Sequence, residues 1–298
     1  MENRRGRLAR ANPGCGECPL VDEAEVTRLA ARWRGIVELQ QSQEARVREF
    51  QPRYDRWAPL ASLFAPGDLT PDIEAVVELV QEGETWLDVG CGAGRFAAHL
   101  ATRAGTVLCN DSSSGMTEAL REAARERSLD NIKVLPAAPW PVENVGGDVD
   151  VVFSAHVLYF VTDIVPFLKG MEAQARRRCV VLIGDEAGSL PPGDAWYAAH
   201  HEPMSRLPAL DEFTELMEAR GIKLDVQDVP MHPNWADGLD PEEAFAMLRN
   251  RCHLREEDSP KARRLRQWFD EQREATGKNP PLMAMQRRAI CSWDPTTP

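Results

Sequence analysis

The segment WLDVGCGAG, residues 86–94, constrains the fold more than any other part of the chain. A short apolar strand runs into a glycine-rich turn that opens a helix, so the backbone turns tightly and helix N–H groups face whatever binds there. A second acid, Asp111, ends the next predicted strand about 20 residues further on, the spacing at which a carboxylate binds ribose hydroxyls. The pattern predicts a nucleotide-type cofactor site at one edge of a sheet.

Helices and strands alternate from Thr70 to about residue 230. The strands are short and apolar, as in VDVVF (149–153) and CVVLI (179–183), which is typical of a parallel sheet covered on both faces. The predicted strands are 85–89, 106–109, 132–135, 149–153 and 179–183, and the predicted helices between them are 94–104, 114–127 and 163–176. Repeated βα units of this kind predict an open, doubly wound α/β sheet.

Further segments flank this core. Residues 1–22 have a composition typical of a poorly ordered tail, and 23–69 form an N-terminal helical extension. Residues 70–230 are the core, and 231–282 are a helical insertion with helices at 241–254 and 260–274. Residues 283–298 hold a final strand, expected at the sheet edge, and a tail. We expect the extension and insertion to cover the pocket and set substrate choice, or else to form a dimer interface.

Composition narrows the function. The chain of 298 residues has 35 basic and 47 acidic side chains, a net charge of −12, which argues against sequence-independent nucleic-acid binding. The densest basic run, Arg176 to Arg178, is interpreted as the solvated end of a helix. No apolar run approaches the roughly 20 residues of a membrane span, so we expect a cytoplasmic protein. Cys15 and Cys18 lack a second ligand pair, so no metal is expected.

Two cofactor classes fit a strand, a glycine turn and a helix. A dinucleotide fold requires a third glycine at position 95, where this chain has Arg95. An acid at the end of the first strand would repel a pyrophosphate, whereas Asp88 suits a cofactor that carries an amino group and a sulfonium. The sequence therefore favours S-adenosylmethionine (SAM) over a nicotinamide dinucleotide, which stays as a weaker alternative.

Four segments resemble the class I SAM-dependent methyltransferases: LDVGCGAGRF, VLCNDSSSGM, DVDVVFSAHVLYFV and RRCVVLIGDE. The resemblance implies a mostly parallel seven-stranded sheet with helices on both faces, SAM as cofactor and S-adenosylhomocysteine (SAH) as product. The sequence departs from the family after the third strand, where LPAAPWP lacks the acid that binds the adenine amino group in many relatives.

By this resemblance, each cofactor contact falls on a definite part of the sequence. The implied contacts are Asp88, Gly90, Cys91 and Gly92 on the methionine part, Asp111 on the ribose, Ser112 and Met116 beside the adenine, the backbone of Ala137 or Ala138 in place of the missing acid, and Ser154 next to the methyl group. His156 follows the fourth strand and is a candidate base, with a purely structural histidine as the alternative. Candidates for the acceptor pocket are Tyr54, Trp57, Tyr159, Asp185 and Tyr197.

The sequence thus predicts a methyltransferase that acts on a small molecule at an oxygen, nitrogen or carbon atom. Base methylation of nucleic acids is disfavoured, because the residues from Ser154 onward read SAHV instead of the proline-rich motif of those enzymes. A SAM-binding regulatory or partner protein without transferase activity is the alternative. The sequence leaves a monomer and a homodimer both open.

Overall fold

The computed structural model describes residues 21–49, 61, 64–143, 145–230, 235–255 and 258–295. Most of the tail predicted at 1–22 lies outside these residues, as do Cys15, Cys18, Tyr54 and Trp57. None of the described helices is both long and apolar enough to cross a membrane.

One sheet organises the described chain. Its strands are β1 (Thr85–Val89), β2 (Thr106–Asn110), β3 (Ile132–Val134), β4 (Val149–Ala155), β5 (Ala175–Gly184), β6 (Asp225–Val229) and β7 (Arg288–Trp293). Their order is β3-β2-β1-β4-β5-β7-β6, and β7 runs antiparallel to both of its neighbours while the other pairs are parallel. The prediction of a doubly wound, mostly parallel seven-stranded sheet is confirmed.

Nine helices of the described residues surround this sheet. They are α1 (Glu23–Val47), α2 (Pro71–Glu78), α3 (Ala97–Leu100), α4 (Ser114–Glu126), α5 (Ile164–Gln174), α6 (Gly193–His200), α7 (Leu210–Ala219), α8 (Pro241–Arg251) and α9 (Pro260–Thr276). The predicted helix at 94–104 is reduced to α3 between turns, and α6 lies in the segment that follows β5.

Alternate residues of the central strands face opposite sides of the sheet and contribute to two apolar cores. Along β4, Val152 packs in the core with α1, α5 and α7, whereas Val151 and Phe153 pack in the core with α2, α3 and α4. A third core joins α6, α8 and α9, where Phe245 meets Phe269 edge to face. The helices outside the repeated βα units are therefore packed in two places, α1 on the sheet and the late helices on one another.

The late helices begin where the sequence supplies a cap. The Asp240 side chain accepts a hydrogen bond from Glu242 N at 2.8 Å, and Ser259 Oγ accepts one from Ala262 N at 3.1 Å. Proline follows each cap at the first helical position, where its missing N–H has no helical partner to lose. Both predicted helices of the insertion are confirmed, the first ending three residues earlier than predicted, at Arg251.

The interpretation of the arginine run was wrong. Helix α5 ends at Gln174, and Arg176 to Arg178 lie in β5. Arg176 donates hydrogen bonds of 2.7 Å to both Asp148 and Asp150, at the start of the neighbouring β4. These cross-strand partners compensate the positive charge, so an extended strand accommodates the run without a helix dipole.

The expected position of the final strand was also wrong. β7 lies between β5 and β6, and all six of its residues are buried. The edge strand is β6, whose sequence DVQDV is exposed except at Val229. An entirely buried strand needs a neighbour on each side, and a polar strand tolerates solvent at the edge.

Helix α1 should depend on one tryptophan. Trp33 is 1% exposed and its Nε1–H donates to the Val161 carbonyl at 2.8 Å, whereas Leu39 on the same helix is 63% exposed. We expect Trp33→Ala to lower the free energy of unfolding by about 3–5 kcal/mol, since it leaves a large cavity. Leu39→Ala, the control, should change it by less than about 0.5 kcal/mol. Equal losses in urea unfolding would contradict this packing.

Candidate active site

The turn after β1 is held in a conformation that only glycine adopts easily. Gly90 has φ 76°, and a Cβ at this position would lie 2.3 Å from Val157 Cγ2. Gly94 has φ 96°, and its Cβ would lie 2.3 Å from Leu120 Cδ1. Both positions therefore exclude a side chain, which brings the backbone close to the sheet edge. Gly90 N and Cys91 N donate to the same carbonyl, that of Asn110 at the end of β2, at 2.8 and 3.1 Å.

Asp88 ends its strand as a buried acid without compensation. Its side chain is 2% exposed, and its Oδ2 atom has no hydrogen-bond partner. Burial raises the pKa of Asp88 to about 8, and the negative charge of Asp111 adds to the effect. An unpartnered buried carboxyl beside a glycine turn fits the positively charged amino group of a cofactor, because that group supplies the missing charge and hydrogen bonds.

Asp111 joins the two turns at this edge. Its Oδ2 accepts from Gly92 N at 2.9 Å, and its Oδ1 accepts from Ser113 N at 2.8 Å. Ser113 in turn caps α4, with its Oγ accepting from Met116 N at 3.0 Å. The carboxylate is thus oriented by backbone amides between the β1 turn and the start of α4. Ser112 beside it is exposed.

The segment after β3 is tied to the same place. Ala138 N donates to the Asp111 carbonyl at 3.0 Å, and Asn110 Nδ2 donates to the Ala138 carbonyl at 3.0 Å. Ala137 next to it is exposed. The structure therefore brings the predicted ribose and adenine positions together, although the roles themselves stay predictions. Asn110 was missed in the sequence, where nothing marks it apart from its place before Asp111.

His156 lies just past β4 in the left-handed region, with φ 58°. Its backbone N–H donates to the Leu182 carbonyl at 2.9 Å, and its Nδ1 lies 3.3 Å from the Tyr159 hydroxyl oxygen. That oxygen accepts a hydrogen bond from Gly184 N at 2.6 Å, which leaves the hydroxyl proton to be donated to Nδ1. This network favours the tautomer with its proton on Nε2.

A buried ion cluster lies close to the His156 ring. Asp72 is fully buried, and its Oδ2 is 3.0 Å from both Arg95 Nη2 and Arg288 Nη1. Burial by itself would raise the pKa of Asp72, but the two guanidinium groups and a hydrogen bond from Thr70 hold it below its ordinary value. Sequence patterns do not reveal this cluster, because its members lie far apart along the chain.

The cluster affects the charge of the histidine. Burial lowers the pKa of His156 to about 4; Asp72 opposes this shift, and the positive charges of Arg95 and Arg288 reinforce it. His156 is therefore a neutral imidazole at neutral pH. A neutral ring with Nε2–H is a hydrogen-bond donor at that atom, and a proton acceptor only after a change of tautomer.

The other predicted residues occupy varied surroundings. Ser154 is fully buried, and its Oγ donates to the Val89 carbonyl at 2.9 Å. Asp185 follows β5, and its Oδ1 accepts from Gln286 N at 3.0 Å. Tyr197 lies on α6 and is 56% exposed, apart from the Tyr159 and His156 pair. Tyr54 and Trp57 lie outside the described residues.

Comparisons with known proteins agree with this geometry. Residues 87–182, from β1 to β5, match the model of a family described as a methyltransferase domain. No curated protein matches the chain at a significant level.

Many solved structures share the fold. A proposed methyltransferase from Bacillus halodurans is 11% identical over 75% of this chain and 96% of its own, with a TM-score of 0.51. Coclaurine N-methyltransferase bound to N-methylheliamine and SAH is 14% identical over 92% and 95%, with a TM-score of 0.49. The YcgJ protein of Bacillus subtilis is 12% identical over 74% and 97%, with a TM-score of 0.48.

The strand order, the glycine turn and the matched family model together define a class of protein. Residues 87–182 match a methyltransferase domain, and the strand order around them, closed by the antiparallel β7, is the one that class I SAM-dependent methyltransferases share. These findings favour SAM over the nicotinamide cofactor that the sequence left as a weaker alternative.

The unpartnered Asp88 should affect stability in a pH-dependent manner. In the unfolded chain an aspartate has a pKa near 3.9, so between about pH 4 and pH 8 the unfolded form has released a proton that the folded form retains. Stability of the ligand-free protein is therefore lost as pH rises through this window. The free energy of unfolding of Asp88→Asn, taken relative to wild type and measured by urea unfolding, should rise by on the order of 3 kcal/mol from pH 5 to pH 8.

The control for this comparison is Asp130→Asn, which removes the same charge from an exposed position. The difference in free energy of unfolding between this variant and wild type should stay constant from pH 5 to pH 8. A constant difference for Asp88→Asn as well would contradict a protonated carboxyl at that position.

The state of His156 can be read by long-range ¹H–¹⁵N NMR of the imidazole nitrogens. The chain has six histidines, and the signal that His156→Asn removes identifies the one in question. We expect a neutral ring with its proton on Nε2 down to about pH 5, because burial lowers its pKa to about 4. Tyr159→Phe should disturb this tautomer, since it removes the Nδ1 donor. An imidazolium at pH 6 would refute the assignment.

Proposed function

We propose that this protein transfers the methyl group of SAM to a small-molecule acceptor at an oxygen, nitrogen or carbon atom. The observation that carries the proposal is the buried Asp88 carboxyl, which lacks a partner beside a glycine turn in a methyltransferase domain. SAM supplies a methyl group already activated by its sulfonium, so positioning and exclusion of water account for much of the rate.

Each residue of the edge has a part in holding the cofactor under this proposal. Asp88 loses its proton when an ammonium group arrives, and its Oδ2 then accepts a hydrogen bond from that group. The backbone at Gly90, Cys91 and Gly92 approaches the methionine part closely. The remaining contacts follow the sequence expectations: Asp111 accepts from the ribose hydroxyls, and Ser112, Met116, Ala137, Ala138 and Ser154 surround the rest.

His156 acts on the acceptor through Nε2–H in this scheme. A ring whose pKa is near 4 is a weak base at neutral pH, so its stronger contribution is to donate a hydrogen bond that orients the acceptor. Proton removal is required only for acceptors whose reacting atom carries a proton. This refines the expectation of a general base, and Tyr159 becomes the residue that positions the ring.

The proposal includes the expectation that the late helices cover the pocket. These helices form one core, and His200 Nε2 at the end of α6 lies 2.9 Å from the Cys252 carbonyl just after α8. The net charge of −12 disfavours a phosphate backbone as partner. A cover of this kind would suit a molecule that enters whole, and Tyr159 and Asp185 follow the carboxyl ends of β4 and β5.

The experiment that tests the cofactor site is calorimetric titration with SAH, with NADH as the control ligand. We expect micromolar binding of SAH and none of NADH. Asp111→Ala should weaken SAH binding about tenfold or more, because a charge-assisted hydrogen bond is worth roughly 1.5–3 kcal/mol. Asp130→Ala, which removes an exposed acid, should bind like wild type. Unchanged affinity in Asp111→Ala would refute the ribose assignment.

Turnover separates a transferase from a protein that only binds SAM. SAH release should be measured with pools of phenols, amines, thiols and carboxylic acids, and with RNA and protein as comparison pools. SAH formed only with a small-molecule pool supports the proposal. SAH formed only with the macromolecular pools contradicts it, and tight SAH binding without release in any pool favours the regulatory alternative.

A further inference from the structure

Arg251 ends α8, the first helix of the predicted insertion, and contacts the loop that follows β5. One of its guanidinium nitrogens, Nη1, donates a hydrogen bond to the Gly188 carbonyl. Gly188 lies four residues past Gly184, where β5 ends. Helix α8 thus places a cation at the carboxyl edge of the parallel strands, where ligands bind in open α/β sheets.

This loop is packed against the Tyr159 and His156 pair. A Cβ at Gly188 would lie 3.0 Å from Met285 Cε, and a Cβ at Gly184 would lie 2.3 Å from Met285 Sδ. Gly184 N is also the donor to the Tyr159 hydroxyl oxygen. A continuous series of contacts therefore leads from Arg251 to His156.

Arg251 is partly exposed and lacks the acidic partner that two buried arginines have. Arg220 has a side chain 9% exposed and pairs with Glu172 at 2.7 Å, and Arg288 has a side chain 8% exposed and pairs with Asp72 at 3.0 Å. Among the described residues Arg251 forms no ion pair, and its hydrogen bond is to the Gly188 carbonyl. Partial burial lowers the pKa of Arg251 to about 10, so the side chain is still a cation at neutral pH. A cation that is partly removed from water, held in one orientation and still reachable is suited to bind an anion.

The geometry of the guanidinium group indicates which ligand would bind its remaining donors. With Nη1 engaged by a carbonyl, Nε and Nη2 remain as a planar pair of donors, the arrangement that holds two oxygens of one anion. We propose that Arg251 binds an anionic group, carboxylate or phosphate, on the methyl acceptor. This inference rests on the proposed function and narrows it to acceptors that carry such a group away from the reacting atom.

Binding to the SAH-loaded protein tests this inference without the natural acceptor. Acetate, benzoate and phenyl phosphate are titrated calorimetrically against protein saturated with SAH, with benzamide as the neutral counterpart of benzoate. We expect at least one anion to bind and benzamide to bind at least tenfold more weakly than benzoate wherever benzoate binds. Binding of benzoate without binding of phenyl phosphate would assign a carboxylate to the acceptor. Binding of phenyl phosphate without binding of benzoate would assign a phosphate. Failure of every anion to bind would overturn the proposal.

Variants then assign the binding to this side chain. Arg251→Gln should weaken binding of the anion at least tenfold and leave the affinity for SAH unchanged. Arg251→Met is the second variant, because an apolar chain of similar length brings no polar group of its own that needs a partner if the first variant folds poorly. Arg255→Gln, which removes an exposed arginine nearby, should match wild type. Wild-type anion affinity in whichever Arg251 variant retains SAH binding would overturn the proposal.

The proposed function fails by a different result. Absence of SAH binding by the wild-type protein would count against the methyltransferase site itself. Intact SAH binding with no anion binding would count against Arg251 alone.

Discussion

Two backbone hydrogen bonds to one carbonyl hold the site together. Gly90 N and Cys91 N both donate to the Asn110 carbonyl, so the turn after β1 and the end of β2 form a single unit. Asp111 extends this unit by accepting from Gly92 N, and Ala138 N joins it through the Asp111 carbonyl. Three loops that come from different parts of the chain thereby share one geometry. A shift of any of them would move the others, which keeps the cofactor edge rigid.

Some charged groups at this edge of the sheet are paired inside the protein, and others are not. Asp72 neutralises part of the charge of Arg95 and Arg288, and each of these groups is paired inside the protein. Asp88 and Arg251 have no such internal partner among the described residues. Under the two proposals above, Asp88 pairs with the positively charged group of the cofactor and Arg251 with an anionic group of the acceptor.

Local sequence patterns predicted the strands of the sheet, whereas the features that the sequence did not predict depend on long-range contacts. Apolar runs located β1 and β4 closely, and the glycine turn located the cofactor edge, because both depend on residues next to one another. The cluster of Asp72, Arg95 and Arg288 joins residues far apart, so periodicity carried no information about it. The same reason explains the error at Arg176, whose acids come from a neighbouring strand. The role of Arg251 depends on where α8 packs, which spacing along the chain does not determine.

The position of β7 between β5 and β6 has a consequence for biosynthesis. β6 leaves the ribosome well before β7, its one strand neighbour among the described residues, because α8 and α9 are translated between them. Until β7 emerges, β5 lacks one neighbour and Asp72 lacks Arg288. The nascent chain therefore acquires α8, α9, its closing strand and the complete ion cluster within one late interval. A ribosome that stalls in this interval would expose the apolar edge of β5, a surface that chaperones recognise.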